Sequence, residues 1–188
     1  MLEAIQNIDV NILYYIQDHL RTPFLNDIIP KFTSLGNAGL IWIVIVICLL
    51  LFKKTGKTAK CSVISMLLCL LTVNLLIKNI VARVRPYDAF ELVRCIIPPA
   101  RDYSFPSGHT AIAWAAMVPV CINLGWKAGL PAVIAATLMS LSRLYVCVHY
   151  PSDVIAGFII GTACALISCK LIYPAISGKI QRAERNEK

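Results

Sequence analysis

Long apolar runs alternate with short polar ones along most of this chain. Five runs cover residues 35–52, 59–81, 110–124, 130–148 and 154–173, and a helix needs about 20 apolar residues to cross hydrocarbon. They predict five transmembrane helices, the third of them short. Ahead of these runs, Leu2, Ile5, Ile8, Ile12, Tyr15 and Ile16 recur at helical spacing, while Asn7, Asp9, Asn11 and Asp18 take the opposite face. That pattern predicts an amphipathic N-terminal helix lying in the interface or packed on the bundle, with a sixth, polar span as the alternative. The fold class is therefore all-α, a polytopic membrane helical bundle. It divides into an amphipathic segment at 1–34, a transmembrane core at 35–174 and a basic cytoplasmic tail at 175–188.

Composition supports this division. The chain is 58% hydrophobic and 15% charged, with a mean hydropathy of +0.71, whereas soluble domains carry about 25% charged residues. No Gly/Ser- or Pro-rich linker and no repeat divides the chain, so a single bundle is expected. Glu3, Asp9 and Asp18 in the first 20 residues argue against a cleavable signal peptide. Seven of the eight cysteines, all but Cys95, fall in apolar runs and read as small buried hydrophobes. Neither a disulfide nor a structural metal is expected, because no C-x-x-C spacing or paired framework occurs.

Charge then orients the bundle. Lys53, Lys54, Lys57, Lys60, Lys127 and the tail cations lie on one side, and the other side's charges balance, so the whole net +8 falls on a single face. By the distribution of Lys and Arg that face is cytoplasmic. The basic pI thus reports topology, and no nucleic-acid partner is expected.

Three polar clusters reach the opposite, outer face. In "KNIVARVRP", Lys78 and Arg85 are seven apart and share a face if helical; Arg83 reads as a snorkelling residue at the boundary. In "YSFPSGHT", Ser107, Gly108 and His109 open the third span. The residues suit a plain helix cap, but free N–H groups beside a hydroxyl and a glycine also suit an anion. In "SRLYVCVHYPSD", Arg143 precedes His149 by six residues and Asp153 follows it by four. An aspartate bonded to one ring nitrogen frees the lone pair of the other, which suits a nucleophile; the alternative is a structural pair at a turn. Three cations, an anion nest and two histidines on one face match a tetrahedral oxyanion. The acids Asp88, Glu91, Asp102 and Asp153 are scattered, with no Mg²⁺ cluster among them, so metal-free phosphoryl transfer is expected, without a cofactor.

These residues resemble the signature of the type-2 phosphatidic acid phosphatase and haloperoxidase superfamily: K-x6-R-P, P-S-G-H and S-R-x5-H-x3-D. They stand here as Lys78 to Pro86, Pro106 to His109, and Ser142 to Asp153, with every fixed position and spacing matched. The resemblance extends over about 35–173. It implies that His149 attacks phosphorus to form a phosphohistidine, that Asp153 orients its ring, and that His109 protonates the leaving oxygen. It also implies that Lys78, Arg85, Arg143, Ser107 and the backbone of Gly108 hold the phosphoryl oxygens.

The same resemblance points to the small bacterial integral-membrane lipid phosphatases of the cell (inner) membrane, with the active site facing outward. Undecaprenyl diphosphate ranks first as substrate. Phosphatidylglycerol phosphate and phosphatidate are the alternatives, since glycine at 108 is the form common among enzymes of broader lipid range. Two other classes compete: a vanadate haloperoxidase, against which the apolar spans argue, and a non-catalytic lipid-binding or transport protein, against which the histidines argue. Gly157 and Gly161 form a GxxxG that packs closely on a neighbour, within the monomer or across a homodimer. Tyr103, Phe105, Tyr145 and Tyr150 read as interfacial belt residues, with lining of the tail entrance as the alternative, and the loop 87–102 as a lid or a connector.

Overall fold

The computed structural model describes residues 2–172; Tyr173 and the tail expected at 175–188 lie outside the described residues. Every regular element among these is helical. In chain order they are α1 (Leu2–Tyr15), a π-helical turn (Ile16–Leu20), α2 (Pro23–Ser34), a short 3₁₀ turn (Asn37–Gly39) and α3 (Leu40–Leu50). There follow α4 (Gly56–Leu70), a second π-helical segment (Leu71–Ile77), α5 (Lys78–Val81), α6 (Pro86–Ala89), α7 (Gly108–Asn123), α8 (Trp126–Tyr145) and α9 (Pro151–Ile172).

Among the described residues, three stretches are long and apolar enough to cross a membrane: Gly56–Ala89, Trp126–Tyr145 and Pro151–Ile172. Pro23–Ser34 with Asn37–Leu50, bent by 50°, makes a fourth if the pair is one span. The run at 110–124 forms α7, whose 16 residues rise about 24 Å, short of the ~30 Å of a hydrocarbon core. Its neighbours explain why it can be short. α7 is the hub of the bundle, packed on α4, α8 and α9, and Ala111, Ala113, Ala115 and Ala116 are fully buried.

The packing puts small residues inside and large ones outside. Ile43 and Ile47 of α3, Leu138 and Leu141 of α8, and Ile155 and Ile159 of α9 all face outward. In lipid this costs nothing, because the solvent is as apolar as the side chains, and close backbone approach supplies the cohesion. The GxxxG of α9 acts within the chain: a Cβ on Gly157 would lie 2.7 Å from the Ser107 carbonyl oxygen, and one on Gly161 would collide with the carbonyl of Ala111. α9 thus lies directly against the first turns of α7, the two helices whose N-termini carry Asp153 and His109.

α1 packs on the bundle through a narrow stripe in which one member of the predicted polar face, Asp9, turns inward while Asn7 and Asn11 stay exposed. Ile5, Ile8 and Ile12 are exposed, whereas Asp9 is only 2% exposed beside the buried Val10 and Leu13. A carboxylate goes inward only where a cation waits for it.

Candidate active site

The predicted residues converge at the end of the bundle opposite the turn at 53–55. Lys78 stands on the last helical turn before a break. Ala82 has φ +48° and caps α5 in the left-handed region, so the helix does not continue to Arg85 as the seven-residue spacing suggests. Arg85 instead has extended backbone (φ −72°, ψ 153°) just before α6. Only Val84 separates them on non-helical chain, yet Arg83 reaches Asp9 and Asp153 while Arg85 reaches Asp102. On the other flank, α8 ends at Tyr145 and Cys147 at φ +56° reverses the chain into α9, setting His149 between Arg143 and Asp153.

A cavity of about 490 Å³ results, and Lys78, Arg85, Gly108, His109, Arg143 and His149 line it. Asp153 sits one layer behind, fully buried; Ser107 is buried too and does not line the cavity. Among the described residues, no side chain caps the start of α7. The Ser107 hydroxyl accepts from Thr110 Oγ1 at 3.1 Å, and its N–H donates to the Asp153 carbonyl at 3.0 Å. Ser107 therefore ties α7 to α9.

His149 Nδ1 lies 3.6 Å from Asp153 Oδ2 and has no hydrogen-bond partner among the described residues. The two are at ion-pair range, and a movement of about half an ångström would close a hydrogen bond. Burial, reinforced by the positive charges of Arg85 and Arg143 and opposed by Asp153, pushes the His149 imidazole down to about 4. Near neutral pH the ring is uncharged. With Nδ1 turned to Asp153, Nε2 is the nitrogen left for the cavity.

Several residues that sequence reasoning passed over complete the site. Asp102 bridges the two cations, its carboxylate pairing with Lys78 and with Arg85 Nη2, the latter at 2.6 Å. Burial alone would raise its pKa, but the hydrogen bond and charge of Lys78, then Arg85, hold it at about 2. Thr33 of α2 accepts from Arg143 Nη1 at 2.6 Å, and Asn37 Oδ1 lies 3.1 Å from His109 Nε2. The only signal for either was a polar "TSLGN" interrupting two apolar stretches. The loop 87–102 is more than a connector, since Ile96, Ile97, Pro98 and Asp102 wall the cavity.

Arg83 does not snorkel. It reaches inward to Asp153 Oδ1 at 2.6 Å and to Asp9 Oδ2 at 2.8 Å, with its guanidinium carbon 3.8 Å above the Tyr150 ring. Tyr150 and Tyr145 are accordingly buried, not belt residues.

Comparison with known proteins finds relatives over most of the chain. A family model described as the PAP2 superfamily matches residues 59–176. The undecaprenyl-diphosphatase of Sulfolobus acidocaldarius is 30% identical over 181 residues, covering 96% of this chain and 85% of that protein. The phosphatidylglycerophosphatase B of Bacillus subtilis is 32% identical over 160 residues, 76% of this chain and 72% of its own. The crystal structure of Aquifex aeolicus LpxE superposes with a TM-score of 0.77 at 28% identity, covering 87% of this chain and 95% of that one.

Proposed function

The chain belongs to the PAP2 superfamily, and on that premise we propose that it is a metal-independent membrane lipid phosphatase working through a phosphohistidine on His149. The named relatives are a lipid diphosphatase and a phospholipid phosphatase. One observation carries the reading: three cations and two histidines line a single cavity, with an uncharged, buried His149 among them.

In this reading Lys78, Arg85 and Arg143 hold the phosphoryl oxygens and neutralise the charge that spreads over them in the transition state. His149 Nε2 gives its lone pair to phosphorus while the bond from phosphorus to the leaving oxygen breaks. His109 is uncharged at rest, because burial and then the Arg143 charge push it down to about 2. It takes up a proton once the anionic phosphate sits beside it and donates that proton to the leaving oxygen. Water then attacks the phosphohistidine, His109 takes its proton, and the N–P bond breaks to release phosphate. Asp153 stabilises the Nδ1–H of the ring throughout.

The chain crosses the membrane five times, with α7 as the short third span and α1 packed beside the bundle. The site opens on the outer face, away from Lys53, Lys54, Lys57, Lys60 and Lys127, so that a lipid's head enters while its tail stays in the bilayer. Undecaprenyl diphosphate is the substrate of first rank, the one named for the Sulfolobus acidocaldarius relative. Phosphatidylglycerol phosphate is the second reading, and Gly108 favours it. A Cβ there would only just touch Asn74 Oδ1 at 3.7 Å and Lys78 Nζ at 4.0 Å, so the glycine leaves room beside the cation for a bulkier head group.

Phosphate release from undecaprenyl diphosphate, phosphatidylglycerol phosphate and phosphatidate, assayed in detergent with and without chelator, tests the proposal. Release should be fastest from undecaprenyl diphosphate and unchanged by chelator. A strict divalent-cation requirement would refute the metal-free route, and release from none of the three would favour a binding or transport protein.

A further inference from the structure

We propose that Asp9, on the N-terminal helix, is a positioning residue for hydrolysis: acting through Arg83, it fixes the Asp153 carboxylate against the ring of His149. The inference rests on the reading of His149 as nucleophile.

The atoms form a closed set. One guanidinium serves two carboxylates: Nη1 donates to Asp153 Oδ1 (2.6 Å) and Ser152 Oγ (2.7 Å), and Nη2 donates to Asp9 Oδ2 (2.8 Å) and Gln6 Oε1 (2.6 Å). Asp9 also accepts from the Ser152 N–H at 2.9 Å and from its hydroxyl. The other Asp153 oxygen, Oδ2, accepts from the Tyr150 N–H at 3.0 Å and from the Ser104 hydroxyl. Oδ2 is the atom that faces His149 Nδ1 at 3.6 Å. Asp153 is therefore held on both oxygens, in an orientation that presents one of them to the ring.

Asp9 is what holds the holder. Arg83 has four rotatable side-chain bonds and lies on a non-helical segment, so its guanidinium is aimed only by what it touches. Stacking on Tyr150 fixes the plane; Asp9 and Gln6 fix the direction. Two carboxylates around one guanidinium are an expensive thing to bury, since each desolvated ion costs several kcal/mol. Docking α1 would have been cheaper with apolar contacts, which Val10 and Leu13 already make.

A purely structural role and a positioning role predict different pH behaviour. His149 is faced by Asp153 from α9, Arg143 from α8, His109 from α7 and Arg85 from the segment before α6, none of which changes in the test variants. Asp9→Asn removes a negative charge and makes protonated His149 less favourable, so the acid limb of kcat/KM moves to lower pH. Arg83→Gln removes a positive charge and moves that limb to higher pH. Each shift should be roughly 0.3 to 1 unit, with kcat reduced roughly 10- to 100-fold, as for other outer-shell partners of a reacting group. Arg83→Lys keeps the charge, so its limb should stay at the wild-type position while kcat falls.

The experiment is the pH profile of kcat/KM for purified full-length wild type, Asp9→Asn, Arg83→Gln and Arg83→Lys in detergent, with His149→Ala as control. Opposite displacements in Asp9→Asn and Arg83→Gln support the inference. Profiles superimposable on wild type, with activity scaled equally at every pH, overturn it while an inactive His149→Ala leaves the nucleophile standing. Turnover by His149→Ala would instead remove the reading underneath. Should Arg83→Gln not fold, Asp9→Asn and Arg83→Lys decide the matter: the limb must move down in the first and stay in the second.

Discussion

Arg83 and Arg85 are two residues apart and meet opposite surroundings. Arg85 faces the cavity and pairs with Asp102, whose side chain is 54% exposed on a loop. Arg83 faces away and is committed to Asp9 and Asp153, both almost wholly buried. A half-solvated carboxylate is a partner that can be exchanged for a phosphate, because water and the incoming anion both compensate for its loss. A buried one cannot be given up without leaving an uncompensated charge. On the proposed reading, the same side chain in the same short segment serves binding in one position and positioning in the other. Burial of the partner, not the identity of the cation, separates the two.

That contrast is open to direct attack. The largest effect should come from Arg85→Ala, which removes a donor aimed at developing charge and should lower kcat/KM roughly 10²- to 10³-fold. Arg83→Gln should lower kcat with KM nearly unchanged, since that residue touches no substrate; a loss confined to KM would erase the distinction between the two arginines. Asp102→Asn frees Lys78 and Arg85 and should tighten competitive inhibition by inorganic phosphate, roughly threefold to fivefold for a half-exposed pair. Weaker inhibition would show that Asp102 organises the cations and does not compete for them.

A smaller, thermodynamic effect reports on His149 itself. Its pKa in the folded chain is about 4 against 6.5 for a free imidazole, so an unfolded chain takes up a proton that the folded one refuses. This contribution is intact above the upper value and is lost as pH falls through the window between the two. Between pH 7 and 5 the loss is at most about 2 kcal/mol. The Tm of wild type should drop further over that range than the Tm of His149→Gln. Equal drops would mean that His149 is solvated.

The cavity-lining set was legible because charged groups near hydrocarbon are rare and spacing within each cluster is local. Lys78, Arg85, His109, Arg143 and His149 could be read from three short stretches and a charge asymmetry. What escaped was decided at long range. Asp9 meets Ser152 across 143 residues and Arg83 across 74, and no periodicity announces such a partner. The spacing in α1 showed a helix, but of its polar positions only Asp9 is buried while Asn7 and Asn11 stay exposed, and that burial depends on where Arg83 points. That depends in turn on the left-handed turn at Ala82, at a residue whose side chain gives no hint of it. Asp102 belongs to a loop whose path is set by contacts with the bundle. Ser107 carried a cap signal and a phosphate signal at once; its hydroxyl and N–H were taken by Thr110 and Asp153.

The central claim is that phosphorus becomes covalently bound to His149. Mixing the protein with a substrate ³²P-labelled in its terminal phosphate and quenching in alkali, where phosphohistidine survives, tests it most directly. The account predicts label on the protein, lost on acid treatment, mapped to the peptide containing His149 and missing from His149→Ala. Label on another residue, or active enzyme that never acquires label under single-turnover conditions, would contradict it.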